Sequence, residues 1–200
     1  MDKTAREKAL ALFARSGVLR PRDVVAAGVP AWAVYELLKD GTAERVGRGL
    51  YALANGKMTE NRSYLEAIKL IPKGIICLLS ALRLHKLTMQ NPHEVWVAID
   101  RRAWKPRVEK PRVRILWFSG EALTAGVERK VIEGASVAVT NVPRTIADCF
   151  KYRNKIGLDA ALEALQDGWK EKRFTMDEIW RYAKLCRVAK VMMPYLETLR

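Results

Sequence analysis

The chain has 200 residues, half of them hydrophobic, with 36 Lys and Arg against 22 Asp and Glu and a formal net charge of +14 at pH 7. That length and apolar content exclude a disordered tail and allow one large domain, or a small domain followed by a medium one. Such a surplus of cations implies a polyanionic partner or an anionic surface, without choosing among nucleic acid, ribosome and membrane.

The first predicted element is a helix from Lys3 to Arg15, with Ala5, Ala9, Leu12 and Phe13 at helical spacing and Gly17 as its stop. "RPRDVVAAG" predicts a second, short helix, with Pro21 in its first turn, Val24, Val25 and Ala27 as its apolar face, and Gly28 ending it. In the third, "AWAVYELLKDG", Ala31, Val34, Leu37 and Leu38 share the inner face, Trp32, Glu36 and Lys39 point outward, and Tyr35 stands on the border. Two short helices joined by a Gly-containing turn form the helix-turn-helix pattern, whose second helix enters a major groove. "TAERV" and "LYAL" then predict two strands joined by "GRG", a three-residue connection in which glycine takes positive φ and Arg48 sits at the tip. From there a guanidinium reaches the sugar-phosphate backbone or a minor groove.

Residues 1–55 therefore read as a winged helix-turn-helix. Its candidate DNA-binding residues are Arg20 and Arg22 beside helix two, Trp32, Tyr35 and Lys39 on helix three, and Arg45 and Arg48 on the wing. Bland readings stand beside these. Arg48 is a solvated turn residue, Arg20 and Arg22 are solvated helix-start charges, and Trp32 plugs a gap. Glu36 either accepts from a cytosine amino group or pairs with Lys39.

Residues 56–200 read as a second domain behind the polar linker "ANGKMTENRS", residues 54–63. "SYLEAIKLI" is a helix closed by Pro72, and "GIICLLSALRLHKLT" an apolar run leading into a helix with Ser80 near its start. "HEVWVAID" and "RVRILWFS" are strands. Between Arg101 and Arg114 lie seven cations and one acid, Glu109, with Trp104 among them. This is either a solvated hairpin connection or a second nucleic-acid or partner surface made of Arg101, Arg102, Trp104, Lys105 and Arg107. "SGEALTAG" is a short helix capped by Ser119, "VERKVIEG" and "SVAVT" form an antiparallel pair, and "NVPRTIADCFKYR" precedes two further helices. Thr175 and Glu178 make a capping box, and a last helical stretch bends or restarts at Pro194. The predicted fold class is α+β: a winged helix-turn-helix followed by a larger domain whose small, mostly antiparallel sheet is packed by helices.

The sites of enzymes are sparse in this pattern. Cys77, Cys149 and Cys186 are far apart in apolar runs, which speaks against a disulfide framework or zinc knuckle and for a reducing cytoplasm. No positively charged start leads into an apolar segment and no apolar run approaches about 18 residues, so neither export nor membrane insertion is expected. His85 and His93 lie outside metal-ligand spacings, the glycines at 41, 47 and 49 do not form a phosphate loop, and no Gly-x-Ser-x-Gly elbow occurs, so no metal, cofactor or catalytic residue is assigned. The enzymatic rival is a divalent-metal nuclease built on Asp100, Glu128 and Lys130. A third reading is an RNA- or protein-binding adaptor that uses the loop at 101–114.

"GVLRPRDVVAAGVPAWAVYELLKDGTAERVGRGLYAL" resembles the N-terminal winged-helix domain of the AbiEi antitoxins of bacterial abortive-infection systems, with the Arg48–Leu53 string as its signature. "SALRLHKLT", "VWVAI" and "VPRTIADCF" resemble, in order, landmarks of that family's C-terminal domain. The resemblance implies a regulator encoded beside a nucleotidyltransferase-like toxin. Such a protein binds inverted repeats in duplex promoter DNA, represses the operon, and opposes the toxin without a stable complex (type IV). It implies DNA contacts from the helix with Trp32, Tyr35 and Lys39 and from the wing with Arg45 and Arg48, by a monomer or weak dimer that is cooperative on DNA. Pro143 before Arg144 departs from the family's more usual Glu. Arg144 and Asp148, four apart on a helix, either pair for a few tenths of a kcal/mol or serve a function.

Overall fold

A computed structural model of the chain describes residues 4–55, 61–90 and 92–199. It divides into two compact units, residues 1–72 with 106–112 and 131–137, and residues 73–105 with 113–130 and 138–200. Most of the expected linker, residues 56–60, lies outside the described residues.

The first unit starts with α1 (Ala5–Ser16), β1 (Val18–Leu19), α2 (Pro21–Ala26) and α3 (Trp32–Lys39), and continues with β2 (Ala43–Gly47), β3 (Leu50–Leu53) and α4 (Arg62–Leu70). Helix α1 begins in a capping box: Thr4 Oγ1 accepts from the Glu7 N–H at 3.3 Å and Glu7 Oε2 accepts from the Thr4 N–H at 2.9 Å, satisfying two N–H groups that the first turn leaves free. Its Ala9 and Phe13 meet Val24, Val29, Ala33, Val34 and Leu37 in one buried cluster. Emptying the Phe13 site would cost about 3–5 kcal/mol, which makes it a principal fixture of the three helices. Strand β1 goes unread in the sequence, because two residues are too few for a period. It pairs antiparallel with β3, Val18 opposite Ala52, and completes a sheet in the order β1-β3-β2.

Two expectations change here. Of the α2 face, Val24 is buried but Val25 is 54 % exposed, since neighbours on a helix diverge by about 100°, and Ala27 is exposed as the C-cap beyond the last helical residue. Helix α4, placed by the sequence in the domain at 56–200, clusters with the first unit. Its Leu70 packs on Val18, Leu50 and Ala52, and Lys69 Nζ donates to Asp23 Oδ2 at 2.6 Å.

The second unit holds β4 (Ile75–Ile76), α5 (Leu78–His85), β5 (Val95–Asp100), β6 (Val113–Phe118), α6 (Glu121–Thr124), β7 (Val127–Ile132) and β8 (Ala135–Thr140), the last two in part. Five helices follow: α7 (Val142–Lys151), α8 (Arg153–Ile156), α9 (Leu158–Lys170), α10 (Met176–Leu185) and α11 (Ala189–Glu197). The sheet order is β6-β5-β4-β8-β7. Strands β5 and β6 are parallel from Val95↔Val113 to Asp100↔Phe118, β4 and β8 are parallel, and β4 and β5 antiparallel. The fold class is α+β, but this sheet is mixed instead of mostly antiparallel, and 101–112 is a crossover, not a hairpin loop. Twelve residues are long enough to carry the chain back along the six-residue strand β5 and start β6 in the same direction.

Helix α7 is the axis of this unit. Every residue from Val142 to Phe150 is buried, because α5, α9 and α10 all pack on it. A helix enclosed on all sides has to satisfy its own polar groups, and among the described residues no buried side-chain nitrogen or oxygen lacks a hydrogen bond. The capping box of Thr175 and Glu178 is present at α10. Ser80 caps nothing; its Oγ accepts from the Trp96 N–H at 2.9 Å and fastens α5 to β5. Nor does Ser119 cap α6, whose N-cap is Gly120 at φ 55°. Helix α11 runs on through Pro194.

Candidate nucleic-acid interface

Helix α3 buries Ala33, Val34 and Leu37 and turns its opposite side outward, so the inner face is displaced from the Ala31–Leu38 stripe expected. Trp32 (53 % exposed), Tyr35 (55 %), Glu36 and Lys39 fall at i, i+3, i+4 and i+7 and line the exposed side of a helix about 12 Å long. The structure thus gathers the three residues assigned to this helix on one surface.

The hairpin is tighter than "GRG" predicts. Gly47 is paired with Leu50, so the connection is Arg48 and Gly49 alone, and of the two flanking glycines Gly49, at φ 66°, has the positive φ. Between Arg45 and Gly47 the register shifts, leaving Val46 as an extra residue that sharpens the local twist. Arg48 is exposed at the tip. Arg45 is exposed as well, its Nε donating to the Gly47 carbonyl at 3.1 Å. Arg22 is exposed on α2, whereas Arg20 is half-buried and its guanidinium donates to the Lys69 carbonyl. Burial lowers the Arg20 pKa, and the nearby Arg22 charge presses the same way. Arg20 therefore braces α4 and has fewer donors left for a phosphate.

Charge balance in this unit is uneven. Asp23 pairs with Lys69, Asp40 with Arg6 at 2.8 Å, and both Glu44 and Glu66 with Arg62. Hydrogen bonds from Thr42 and Arg6 hold the exposed Asp40 carboxyl down at about 2. Among the described residues Arg22, Lys39, Arg45 and Arg48 form no ion pair, and neither does Glu36, so the expected alternative of a Glu36–Lys39 pair is not formed. Asp23, Asp40, Glu44 and Glu66 are thus each met by a cation, whereas the charges of Arg22, Lys39, Arg45 and Arg48 are met by no carboxylate among the described residues and add to the positive potential of this unit.

Residues 7–54 match the model of a family described as transcriptional regulator, AbiEi antitoxin. The similarity is to this segment of the chain alone. The matched span runs from α1 to just past β3 and contains all seven candidate DNA-binding residues. No curated protein matches the chain.

Outside the matched segment, the nuclease triplet is not brought together. Strands β5 and β7 are three places apart in the sheet, which separates their backbones by about 14 Å. Asp100 Oδ1 accepts from the Arg102 N–H at 2.8 Å, and Lys130 Nζ donates to the Leu84 carbonyl and to His85 Nδ1, each at 3.1 Å. With Nδ1 accepting, His85 donates through Nε2 to the Thr140 carbonyl at 2.7 Å. Burial is the main reason its pKa falls to about 4, and the Lys130 and Arg173 charges add to it. Among the described residues no group of three or more His, Cys, Asp or Glu could hold a metal ion, and no helix is long and apolar enough to cross a membrane.

Proposed function

We propose that this chain is a cytoplasmic, sequence-specific repressor of its own toxin–antitoxin operon and that it also counteracts a nucleotidyltransferase-like toxin. The observation carrying this reading is the solvent-facing surface of Trp32, Tyr35 and Lys39 inside the matched segment, beside cations without acidic partners. In this reading α1 to β3 act as a winged helix-turn-helix. Helix α3 enters the major groove of duplex DNA, where Trp32 and Tyr35 meet thymine methyl groups or sugars and Lys39 meets a phosphate. Arg22 holds the backbone, and Arg48 at the wing tip reaches into the neighbouring minor groove, with Arg45 at its base. Inverted repeats would seat two copies, each a monomer or weak dimer before binding, cooperatively.

Opposition to the toxin without a stable complex rests on the family resemblance, and no catalytic step is assigned to the chain. The test is a reporter driven by the DNA upstream of the chain's own gene, read together with growth of cells expressing the adjacent toxin gene. Repression by the full chain, relieved by Lys39→Ala or Arg48→Ala, together with growth rescue, is the expected result. Undiminished repression by both variants would overturn the assignment of this surface.

A further inference from the structure

The crossover after β5 holds out an indole. Trp104 is 96 % exposed, more than any other large apolar side chain among the described residues. The backbone before it is fastened. The Arg101 N–H donates to the Phe118 carbonyl, the Arg102 N–H to Asp100 Oδ1, and the Ala103 N–H to the Asp100 carbonyl, each at 2.8 Å. Three consecutive N–H groups are thus tied to the strand ends immediately before the ring, so Trp104 is presented from a held turn. Arg101, Arg102 and Lys105 are exposed around it and form no ion pair among the described residues.

This combination narrows the occupant. The middle of a protein interface is poor in charge and surrounds its aromatic anchors with apolar groups, whereas residues 101–106 set three cations beside Trp104 against one alanine and one proline. Base faces in a duplex are covered by their neighbours, so an indole finds an open π-face only on an unstacked base. Cations close to a stacking platform are what an unpaired strand needs, because each base brings a phosphate with it.

We propose that residues 101–105 bind single-stranded nucleic acid, with the Trp104 ring stacked on one base and Arg101, Arg102 and Lys105 on the adjoining phosphates. This site does not depend on the duplex reading of α3. The experiment is fluorescence anisotropy of the full chain with a labelled oligouridine RNA and an oligothymidine DNA, each about 12 nucleotides long. A labelled duplex serves as the control. Trp104→Ala is expected to weaken binding of the single strand by roughly 10-fold or more, and Trp104→Phe by less, with duplex binding unchanged. Arg102→Ala is expected to flatten the salt dependence, which Trp104→Ala leaves as it was. Tighter binding of one oligomer would identify RNA or DNA as the ligand. Wild-type affinity in Trp104→Ala, or no binding of either oligomer by the wild-type chain, overturns the proposal.

Discussion

Arg144 donates through Nε to Asp148 Oδ2 at 2.9 Å, one turn apart on α7, with both side chains about 1 % exposed. Its two terminal guanidinium nitrogens donate to the carbonyls of Ala122 at 2.9 Å and Ala125 at 3.2 Å, and the Cys186 thiol donates to Asp148 Oδ1 at 3.2 Å. A surface pair would contribute a few tenths of a kcal/mol; this one joins α7 to the α6 segment and the end of α10, where burial keeps solvent from replacing a lost partner. Removing one member strands a buried charge, so Asp148→Ala and Arg144→Met should each cost about 3–5 kcal/mol in urea unfolding. Replacing both with apolar residues should restore part of the loss. A single-variant cost below about 1 kcal/mol would contradict the buried network.

His85 makes acid stability a second test. Its pKa falls from 6.5 to about 4 in the folded chain, so between those values the unfolded state binds more protons. Stability from the neutral ring is complete above the unfolded pKa and is lost as pH falls through the folded one, roughly 3 kcal/mol in all. Urea midpoints between pH 7 and pH 4 should show this slope, and His85→Gln should flatten it.

The two glycines beside Arg48 should differ. A Cβ on Gly49 is strained by its φ of 66°, so Gly49→Ala should cost about 1 kcal/mol and loosen the hairpin. A Cβ on Gly47 meets Leu50 Cδ1 at an ordinary 3.6 Å, and Gly47→Ala should be close to neutral in thermal unfolding. Equal losses would contradict the observed turn.

That contrast also marks how far the sequence is legible. Helical periods of apolar residues located α1 and α3, because burial on one side repeats every three to four residues. Thr175 and Glu178 gave away an N-terminus because a capping box is local in sequence. What depends on partners far along the chain stayed hidden. Nothing in "RRAWKPRVEKPR" says that β5 and β6 run parallel, Val18 and Leu19 are too short to announce a strand, and "RTIAD" does not reveal how completely Arg144 and Asp148 are enclosed. At the interface, Trp32, Tyr35 and Lys39 were legible from helix spacing, whereas Arg20 was not, since its partner is the backbone of Lys69 on α4.

Glu36 carries a prediction about base preference. It is an acidic group on the exposed side of α3 with no ion pair among the described residues. A carboxylate brought into a groove is repelled by phosphate unless it accepts from a base amino group, and cytosine offers one. Selection from randomised duplexes should return a fixed cytosine in each half-site for the wild-type chain and lose it for Glu36→Ala. An identical motif for both proteins would remove Glu36 from the readout.

The central claim is that α3 and the hairpin grip duplex DNA through unpaired cations, and the salt dependence of binding to the chain's upstream DNA tests it most directly. The logarithm of affinity should fall linearly with the logarithm of salt concentration, by about 0.9 per phosphate neutralised. Arg48→Ala should weaken binding and lower the slope by about 1, and Lys39→Ala should do the same with a larger loss of affinity. Wild-type affinity and an unchanged slope in both variants would contradict the account.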